Sequence, residues 1–290
     1  MRPSSLPSGL AVRRAVDVAA PPRPRARRHE LEFKLAALQK DYADLHTAIF
    51  EAAQVHRRLC APRLVRAGDF EIASEIFAVR HLPGDFFTVQ EQNGRSLFAL
   101  GDISGKGLAA GMWTTHLVGL TNSHAAITSD PESIVTGVNR DLCGMPLTMS
   151  LASLFLGQLD PDTGILDYCS AGHPPAVLLR ANGELESLSE GGLLLGVTSS
   201  AAYSAARVEL GQGDVLLVYS DGIIESRDEK GDEFGYARLR EELWRARSQS
   251  ADTILFSVLG AVQDFAGTCP LMDDMTLAVI RRANADNSRL

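Results

Sequence analysis

The feature that most constrains the fold is a series of short apolar runs, each ended by turn-forming residues, across residues 64–282. Eight runs have the length and residue content of β-strands: Ile76–Arg80, Leu97–Asp102, Ser153–Asp160, Gly164–Ser170, Ala176–Arg180, Ala206–Leu210, Asp214–Asp221 and Met275–Arg281. The stretches 160–164 and 181–183 are typical of hairpin turns. Because hairpins join antiparallel strands, the pattern predicts mostly antiparallel sheets.

Helical periodicity falls in two blocks between these runs. The predicted helices cover residues 107–125, 131–143, 236–247 and 251–266. Asp130 followed by Pro131 is typical of an N-cap and a first helical position. Antiparallel strands with two blocks of helices predict one layered α+β domain over residues 64–282, with a short C-terminal tail at 283–290.

Ahead of this domain, apolar residues alternate at spacings of four and three with no Gly or Pro until Pro62. The positions are Leu31, Leu35, Leu38, Tyr42, Leu45, Ile49, Ala52, His56 and Leu59. This spacing predicts one helix over residues 30–62 whose seam packs against a partner. The pattern leaves open whether the partner is the rest of the chain or a second copy, which would form a homodimer through residues 31–59.

The charge divides the chain. Residues 1–29 hold seven arginines and one acid, Asp17, for a net charge of +6, while the remaining residues carry −14. The first segment predicts a disordered basic tail, although an organelle transit peptide has a similar composition. The acidic remainder argues against nucleic acid as a partner, and no apolar run is long enough for a membrane span.

The cysteines give no sign of metal or redox chemistry. Cys60, Cys143, Cys169 and Cys269 show no Cys-x-x-Cys spacing, so neither a zinc site nor a redox pair is supported. Free thiols are expected in a reducing compartment, which predicts a cytoplasmic protein.

Acidic residues recur where the predicted strands end or begin. They are Asp85, Asp102, Asp221, Asp273 and Asp274. Carboxylates at the mouths of buried strands are costly unless they are paired or bound to a cation. A cluster of oxygen ligands suits Mg²⁺ or Mn²⁺. The residues alone therefore indicate a multi-carboxylate metal site.

Seven segments in this order carry the sequence further. They are Pro83–Phe87, Gly101–Gly107, Leu159–Gly164, Ala171–Pro175, Gly213–Glu225, Phe234–Gly235 and Asp273–Thr276. Together they resemble the PPM, or protein phosphatase 2C-like, metal-dependent Ser/Thr phosphatases. The resemblance is strongest to the bacterial SpoIIE-type branch, which includes stress-response phosphatases that act on anti-sigma-factor antagonists.

The resemblance implies a fold and a metal site. The fold is an αββα sandwich, two antiparallel sheets flanked by helices, here preceded by the long N-terminal helix. The cofactors are two divalent cations, Mn²⁺ or Mg²⁺. Asp102 would bridge the two ions. The backbone carbonyl of Ile103 would complete the shell of the first ion, and Asp221 and Asp273 would hold the second ion.

The remaining site residues have less direct roles by the same resemblance. Asp85 would act largely through metal-bound water in the catalytic step, and Asp274 has no assigned role beyond its place beside a ligand. Lys106 and His173 are candidates for substrate contact. Each also has a structural interpretation, Lys106 as a loop cap and His173 as the brace of a proline turn.

Two positions depart from the family pattern. Thr88 stands where many relatives have a further Asp, which bears on water in the outer shell of the metals. The phosphate-binding Arg of eukaryotic relatives has no identifiable counterpart, although Arg80 lies nearby in the sequence.

The expected function is a metal-dependent phosphoserine/phosphothreonine protein phosphatase in bacterial signalling. In the mechanism that the resemblance implies, water activated by two metals attacks phosphorus, so the cysteines have no role. The substrate would be a phosphorylated protein such as an anti-sigma-factor antagonist, and the helix over 31–59 would couple a partner to activity. One alternative is a catalytically silent phosphatase fold that docks a partner, although the aspartates argue against it. A nucleotide-processing enzyme is disfavoured because no base-binding motif is present.

Overall fold

The computed structural model describes residues 24–60, 63–145 and 151–283. Its strands are β1 (Leu64–Ala67), β2 (Phe70–Phe77), β3 (Phe86–Gln92), β4 (Arg95–Ile103), β5 (Ala152–Leu159), β6 (Ile165–Ala171), β7 (Ala176–Leu179), β8 (Leu185–Leu188), β9 (Gly191–Gly192), β10 (Ala206–Glu209), β11 (Val215–Tyr219) and β12 (Met275–Arg282). Its helices are α1 (Pro24–Cys60), α2 (Leu108–Ala125), α3 (Pro131–Cys143), α4 (Asp221–Ile224), α5 (Gly235–Ala246) and α6 (Ala251–Ala266).

The strands form two sheets. Sheet A has the order β1-β2-β12-β11-β7-β8, and sheet B has the order β10-β6-β5-β4-β3. These neighbours are all antiparallel, and the short β9 joins β6 in parallel. Helices α5 and α6 cover the outer face of sheet A, and α2 and α3 cover that of sheet B. The predicted αββα sandwich is confirmed.

Strand β12 shows why the middle of the sandwich is apolar throughout. Its residues alternate between the two faces of sheet A. Leu277 and Val279 pack under the helices, whereas Ala278 and Ile280 pack against sheet B. Because both faces of sheet A are covered, residues 277–280 of β12 are all apolar, and this buried segment fixes the positions of the two ends of the strand.

Helix α1 begins at Pro24, before the start predicted at residue 30. Proline is tolerated in the first helical turn and the following Arg and Ala residues are good helix formers, so the helix extends into the segment predicted as a disordered tail. That boundary was therefore wrong. The rest of the predicted tail, residues 1–23, lies outside the described residues, as does 284–290 of the predicted C-terminal tail.

The chain divides into two units, with the boundary between Ala48 and Ile49 within α1. In the first unit the apolar seam of α1 is exposed at every predicted position from Leu31 to Leu45. In the second unit His56 and Cys60, one turn apart, are buried, while Leu59 is exposed. Here the buried stripe passes through Cys60 rather than through Leu59 as the heptad pattern predicts.

The first part of the loop that leads to Asp85 was predicted as a strand. The run Ile76–Arg80 is instead the end of β2, which stops at Phe77, followed by irregular chain up to Asp85. Strand β3 was not predicted, because its polar second half has low strand propensity. Among the helices in the described ranges, none has both the length and the apolar content required to cross a membrane.

Candidate metal centre

The predicted carboxylates lie at one end of the two sheets. Asp102 lies near the end of β4, and Asp85 directly precedes β3, which pairs with β4. Asp221 follows β11, and Asp273 precedes β12, which pairs with β11. The antiparallel pairing thus collects aspartates that are far apart in the sequence.

Asp85 is buried and connects the two sheets. Its Oδ2 accepts hydrogen bonds from the hydroxyls of Ser220 and Thr276, each at 2.6 Å. Burial raises the pKa of Asp85, the charge of Asp102 raises it further, and the two hydroxyls oppose the rise. The carboxylate is therefore held in one orientation by two donors from sheet A.

Negative charge accumulates around Asp102. Burial raises the pKa of Asp102 to about 6, and the charges of Asp221, Asp273 and Asp274 add to the rise. Burial and the charge of Asp273 also raise the pKa of Asp221. A bound divalent cation relieves such mutual repulsion and favours the ionised carboxylates.

Backbone oxygens converge on the same place. A Cβ atom added to Gly84 would lie 2.9 Å from the carbonyl oxygen of Ile103, 3.2 Å from that of Gly105 and 3.5 Å from Oδ1 of Asp102. Only glycine leaves room for these three oxygens. Carboxylate and carbonyl oxygens are the ligands that Mg²⁺ and Mn²⁺ prefer, so the residues present fit a divalent cation.

Lys106 places a positive charge beside two of the predicted ligands. Its ammonium donates to the carbonyl of Met272 and lies 2.9 Å from Oδ2 of Asp273. Its charge also lowers the pKa of Asp221. Lys106 therefore supplies the positive charge on the Asp221–Asp273 side of the site.

Side chains alone do not complete a metal shell here. Within the described ranges, no three His, Cys, Asp or Glu side chains form a group that could hold a metal ion. The carboxylate of Asp273 is turned towards Lys106, and Oδ1 of Asp102 shares the surroundings of Gly84 with the carbonyl oxygens of Ile103 and Gly105. A shell at this site therefore needs the carbonyl of Ile103 and water in addition to the aspartates.

Asp274 is buried and has a structural task. Its Oδ1 accepts the N–H of Val79 and its Oδ2 accepts the N–H of Gly84, both at 2.7 Å. Both carboxylate oxygens are used to fix the loop that carries Gly84 and Asp85. The structure thus gives Asp274 the role that the sequence left unassigned.

His173 is buried rather than presented to a substrate. Its Nδ1 lies 2.7 Å from the hydroxyl of Ser153, the residue that pairs with Asp102 in the sheet. Burial lowers the pKa of His173 to about 3, so the ring is neutral at pH 7. These contacts favour the bracing role over substrate contact.

Three residues that sequence reasoning did not assign belong to this site. Ser220 and Thr276 hold Asp85, and their positions beside the motif aspartates were the available signal. The exposed side chain of Arg80 lies over the glycine turn at the start of α2. Its Cδ would be 3.3 Å, and its Nη1 3.7 Å, from a Cβ atom on Gly107.

Solved structures define the class of the fold. The chain is similar to the SiaA-PP2C domain of Pseudomonas aeruginosa, with a TM-score of 0.72 and 19% identity over 85% of this chain and 99% of that one. It is also similar to the catalytic domain of the serine/threonine phosphatase PstP in complex with two manganese ions. That match has a TM-score of 0.54 and 18% identity over 74% of this chain and 99% of that one. The protein therefore has the fold of the PP2C-type phosphatases.

The family follows from the sequence itself. The model of the family described as Stage II sporulation protein E (SpoIIE) matches residues 92–283, so the chain belongs to the SpoIIE family. Phosphoserine phosphatase RsbU of Bacillus subtilis is 24% identical over 242 residues, which are 82% of this chain and 71% of RsbU. The resemblance drawn from the seven motifs is confirmed, and it assigns the chain to a family of phosphatase enzymes.

Proposed function

We propose that the protein is a Mn²⁺- or Mg²⁺-dependent phosphoserine/phosphothreonine protein phosphatase of bacterial signalling. The observation that carries the proposal is the convergence of Asp85, Asp102, Asp221 and Asp273 at one end of the sandwich in a member of the SpoIIE family. The relative RsbU is named as a phosphoserine phosphatase, and the neighbour PstP holds two manganese ions. Both support the same chemistry for this chain.

The ligand assignment is the one that the family resemblance implies, and all of its donor atoms are oxygens. Asp102 and the carbonyl of Ile103 would hold one cation, and Asp102, Asp221 and Asp273 would hold the other, with Lys106 displaced from Asp273. When bound, divalent cations lower the pKa of water and offset the charge of the phosphate oxygens. Burial and the neighbouring carboxylates raise the pKa of Asp102, and a bound cation would offset that repulsion.

The chain's own residues would orient the reactants. Asp85, fixed by Ser220 and Thr276, presents its carboxylate to the site, where it can accept a hydrogen bond from the attacking water. Arg80, at the glycine turn beside α2, would bind phosphate oxygens through its guanidinium. Arg80 would thereby supply the phosphate contact for which the sequence showed no identifiable counterpart.

The substrate and the assembly are finer parts of the same proposal. The substrate would be a phosphorylated protein of the anti-sigma-factor-antagonist type, and the relationship to RsbU supports this class. Two copies would pair through the seam of α1 in residues 31–45, where five apolar side chains are each more than half exposed. Pairing there would couple a partner or signal to the catalytic unit.

The test is hydrolysis of an aryl phosphate and of a phosphoserine peptide with Mn²⁺, with Mg²⁺ and with EDTA. We expect metal-dependent turnover that EDTA abolishes and that Asp102→Asn reduces by at least about 100-fold. Asp264→Asn, an exposed aspartate on α6, is the matched control and should keep full activity. Absence of both turnover and metal binding in calorimetry would overturn the proposal and favour a silent docking module. Turnover of nucleotides but not of the phosphopeptide would overturn the substrate class.

A further inference from the structure

A small cavity lies at the end of sheet A opposite the carboxylates. Its volume is about 110 Å³, and its lining residues are Arg180, Ala181, Gly213, Arg247, Ser248 and Arg281. Strand β12 connects the two ends, with Asp274 just before it and Arg281 near its end. At about 3.3 Å per residue, these two positions are separated by roughly 23 Å along the strand. The cavity is therefore separate from the candidate metal centre.

The sheet register brings two of the arginines to the same place. Val215, the first residue of β11, pairs with Arg281 on one side and with Leu179 on the other. Arg180 follows Leu179 directly. Strands β12 and β7 flank β11 and are therefore roughly 10 Å apart, a distance that the side chains of Arg281 and Arg180 can span together. The third arginine, Arg247, follows α5 on the helix-covered side of the sheet.

Arg281 is buried without a full set of partners. Only 3% of the residue is exposed, its ion pair with Glu71 is long at 3.9 Å, and its Nε has no hydrogen-bond partner among the described residues. Oε2 of Glu71 also accepts the N–H of Ala251 at 3.1 Å. A buried guanidinium with unmet donors is unfavourable unless an acceptor enters beside it.

The other two arginines are held in place by their surroundings. Arg247 lies 3.8 Å from the ring centroid of Trp244 and donates to the carbonyl of that residue at 2.6 Å. Arg180 binds Glu186 and, at 2.9 Å, Asp214. Neither of these carboxylates lines the cavity, so its charged lining among the described residues is entirely guanidinium. The donors of Arg180 are already engaged, by these two carboxylates and by the carbonyl of Glu209. Asp214 also accepts the N–H of the lining residue Ala181 at 2.8 Å, so an anion in the cavity would be bound chiefly by Arg247 and Arg281.

We propose that this cavity binds a single tetrahedral oxyanion of the phosphate type, either free phosphate or the phosphoryl group of a phosphoserine. A volume of about 110 Å³ equals roughly four water molecules, which suits one oxyanion and is too small for a nucleotide. Guanidinium groups bind such oxygens in pairs of charge-assisted hydrogen bonds, and the hydroxyl of Ser248 is a further donor. The inference uses no residue of the metal centre and does not rest on the proposed phosphatase activity.

The test measures binding in full-length protein that cannot turn over substrate. Inorganic phosphate and a short phosphoserine peptide are titrated separately against Asp102→Asn in EDTA, followed by the line width of the ³¹P resonance at constant ionic strength. The same titrations are made after adding Arg247→Gln, and after adding Arg245→Gln as the matched control. Arg245 lies two residues earlier and pairs with Glu241 and Glu242 away from the cavity.

We expect saturable binding that Arg247→Gln weakens by about tenfold or more and that Arg245→Gln leaves unchanged. Binding of the free ion alone assigns the site to inorganic phosphate, and tighter binding of the peptide assigns it to a phosphoprotein. Equal affinity in all three proteins, or no saturable binding, overturns the proposal. Arg281→Met tests the buried arginine. The result with Arg247→Gln stands even if the Arg281 variant does not fold, because Arg247 is half-buried at the surface.

Discussion

Asp273 and Asp274 are adjacent in the chain, yet their carboxylates have different surroundings. The side chain of Asp273 is about half exposed and pairs with Lys106, whereas Asp274 is buried and accepts two backbone N–H groups. Replacing each aspartate in turn by asparagine therefore tests the proposed ligand role of Asp273 separately from the loop-positioning role of Asp274.

Asp274→Asn should lower the free energy of unfolding by about 1–3 kcal/mol, because an amide NH₂ would face the N–H of Val79 or Gly84. Asp273→Asn should change it by less than about 1 kcal/mol, since an exposed ion pair contributes little. The same variant should weaken Mn²⁺ binding by at least about tenfold. Urea unfolding and calorimetric Mn²⁺ titration of both proteins check this. Equal destabilisation by the two changes would contradict it.

The motif aspartates could be predicted from the sequence, but their partners could not. Asp85, Asp102, Asp221 and Asp273 stand in recognisable segments next to strands. Which donor reaches which oxygen depends on the packing of sheet A against sheet B, as in the bonds of Ser220 and Thr276 to Asp85. His173 could not be assigned to substrate contact or to bracing for the same reason, because the sequence did not show that it is buried.

At the scale of elements, helix α2 clamps the loop that precedes Asp85. Gly111 faces Leu82 so closely that an added Cβ atom would lie 2.6 Å from the Cβ of Leu82. Three residues further along the same helix, the hydroxyl of Thr114 donates to the carbonyl of Gly84 at 2.8 Å. The position of the glycine loop therefore depends on the close approach of this helix.

Gly111→Ala should destabilise the protein by about 1–3 kcal/mol and weaken Mn²⁺ binding, because the new methyl group displaces Leu82. Gly119→Ala on the same helix is the matched control. Apart from the adjoining helix backbone, no atom of the described residues lies within 4 Å of a Cβ there, so this change should stabilise the helix by up to about 1 kcal/mol. Thermal unfolding and Mn²⁺ titration compare the two. A Gly111 variant that behaves like the Gly119 variant would exclude a clamp.

Helix α1 shows the limit of periodicity as evidence. The heptad spacing identified the helix but not its partner, since exposed and buried seams have the same pattern. The structure buries His56 and Cys60 in the second unit and leaves residues 31–45 exposed in the first. The start of the helix at Pro24 was missed because the boundary at residue 30 was set from the basic composition of residues 1–29, not from their helix propensity.

Leu38→Asp should abolish self-association if the exposed seam pairs two copies, because it puts a charge at a core position of the coiled coil. Gln39→Asp, one residue off the seam, carries the same charge change and should remain dimeric. Sedimentation velocity of the wild type and the two variants measures the state directly. A monomeric wild type, or a dimer that Leu38→Asp does not affect, would rule out pairing through this seam.

For the molecule as a whole, the carboxylate end makes stability depend on pH and on metal. In the metal-free protein the pKa of Asp102 is about 6, above its ordinary value of 3.8, and those of Asp85 and Asp221 are also raised. The folded state thus holds protons that the unfolded state releases near pH 4. The contribution of Asp102 to stability is fully present below pH 4 and is lost as pH rises through 6.

In EDTA, Asp102→Asn should therefore match the wild type near pH 4 and exceed it at pH 7, by on the order of 2 kcal/mol. Saturating Mn²⁺ should reverse the order at pH 7, because a cation favours the ionised Asp102 and binding adds its own free energy to the wild type. Urea unfolding at pH 4, 5.5 and 7, with and without Mn²⁺, gives the differences. A difference in EDTA that stays constant with pH would show that Asp102 titrates normally. A failure of Mn²⁺ to stabilise the wild type would show that these carboxylates do not form a metal site, because a cation that binds the folded protein must stabilise it.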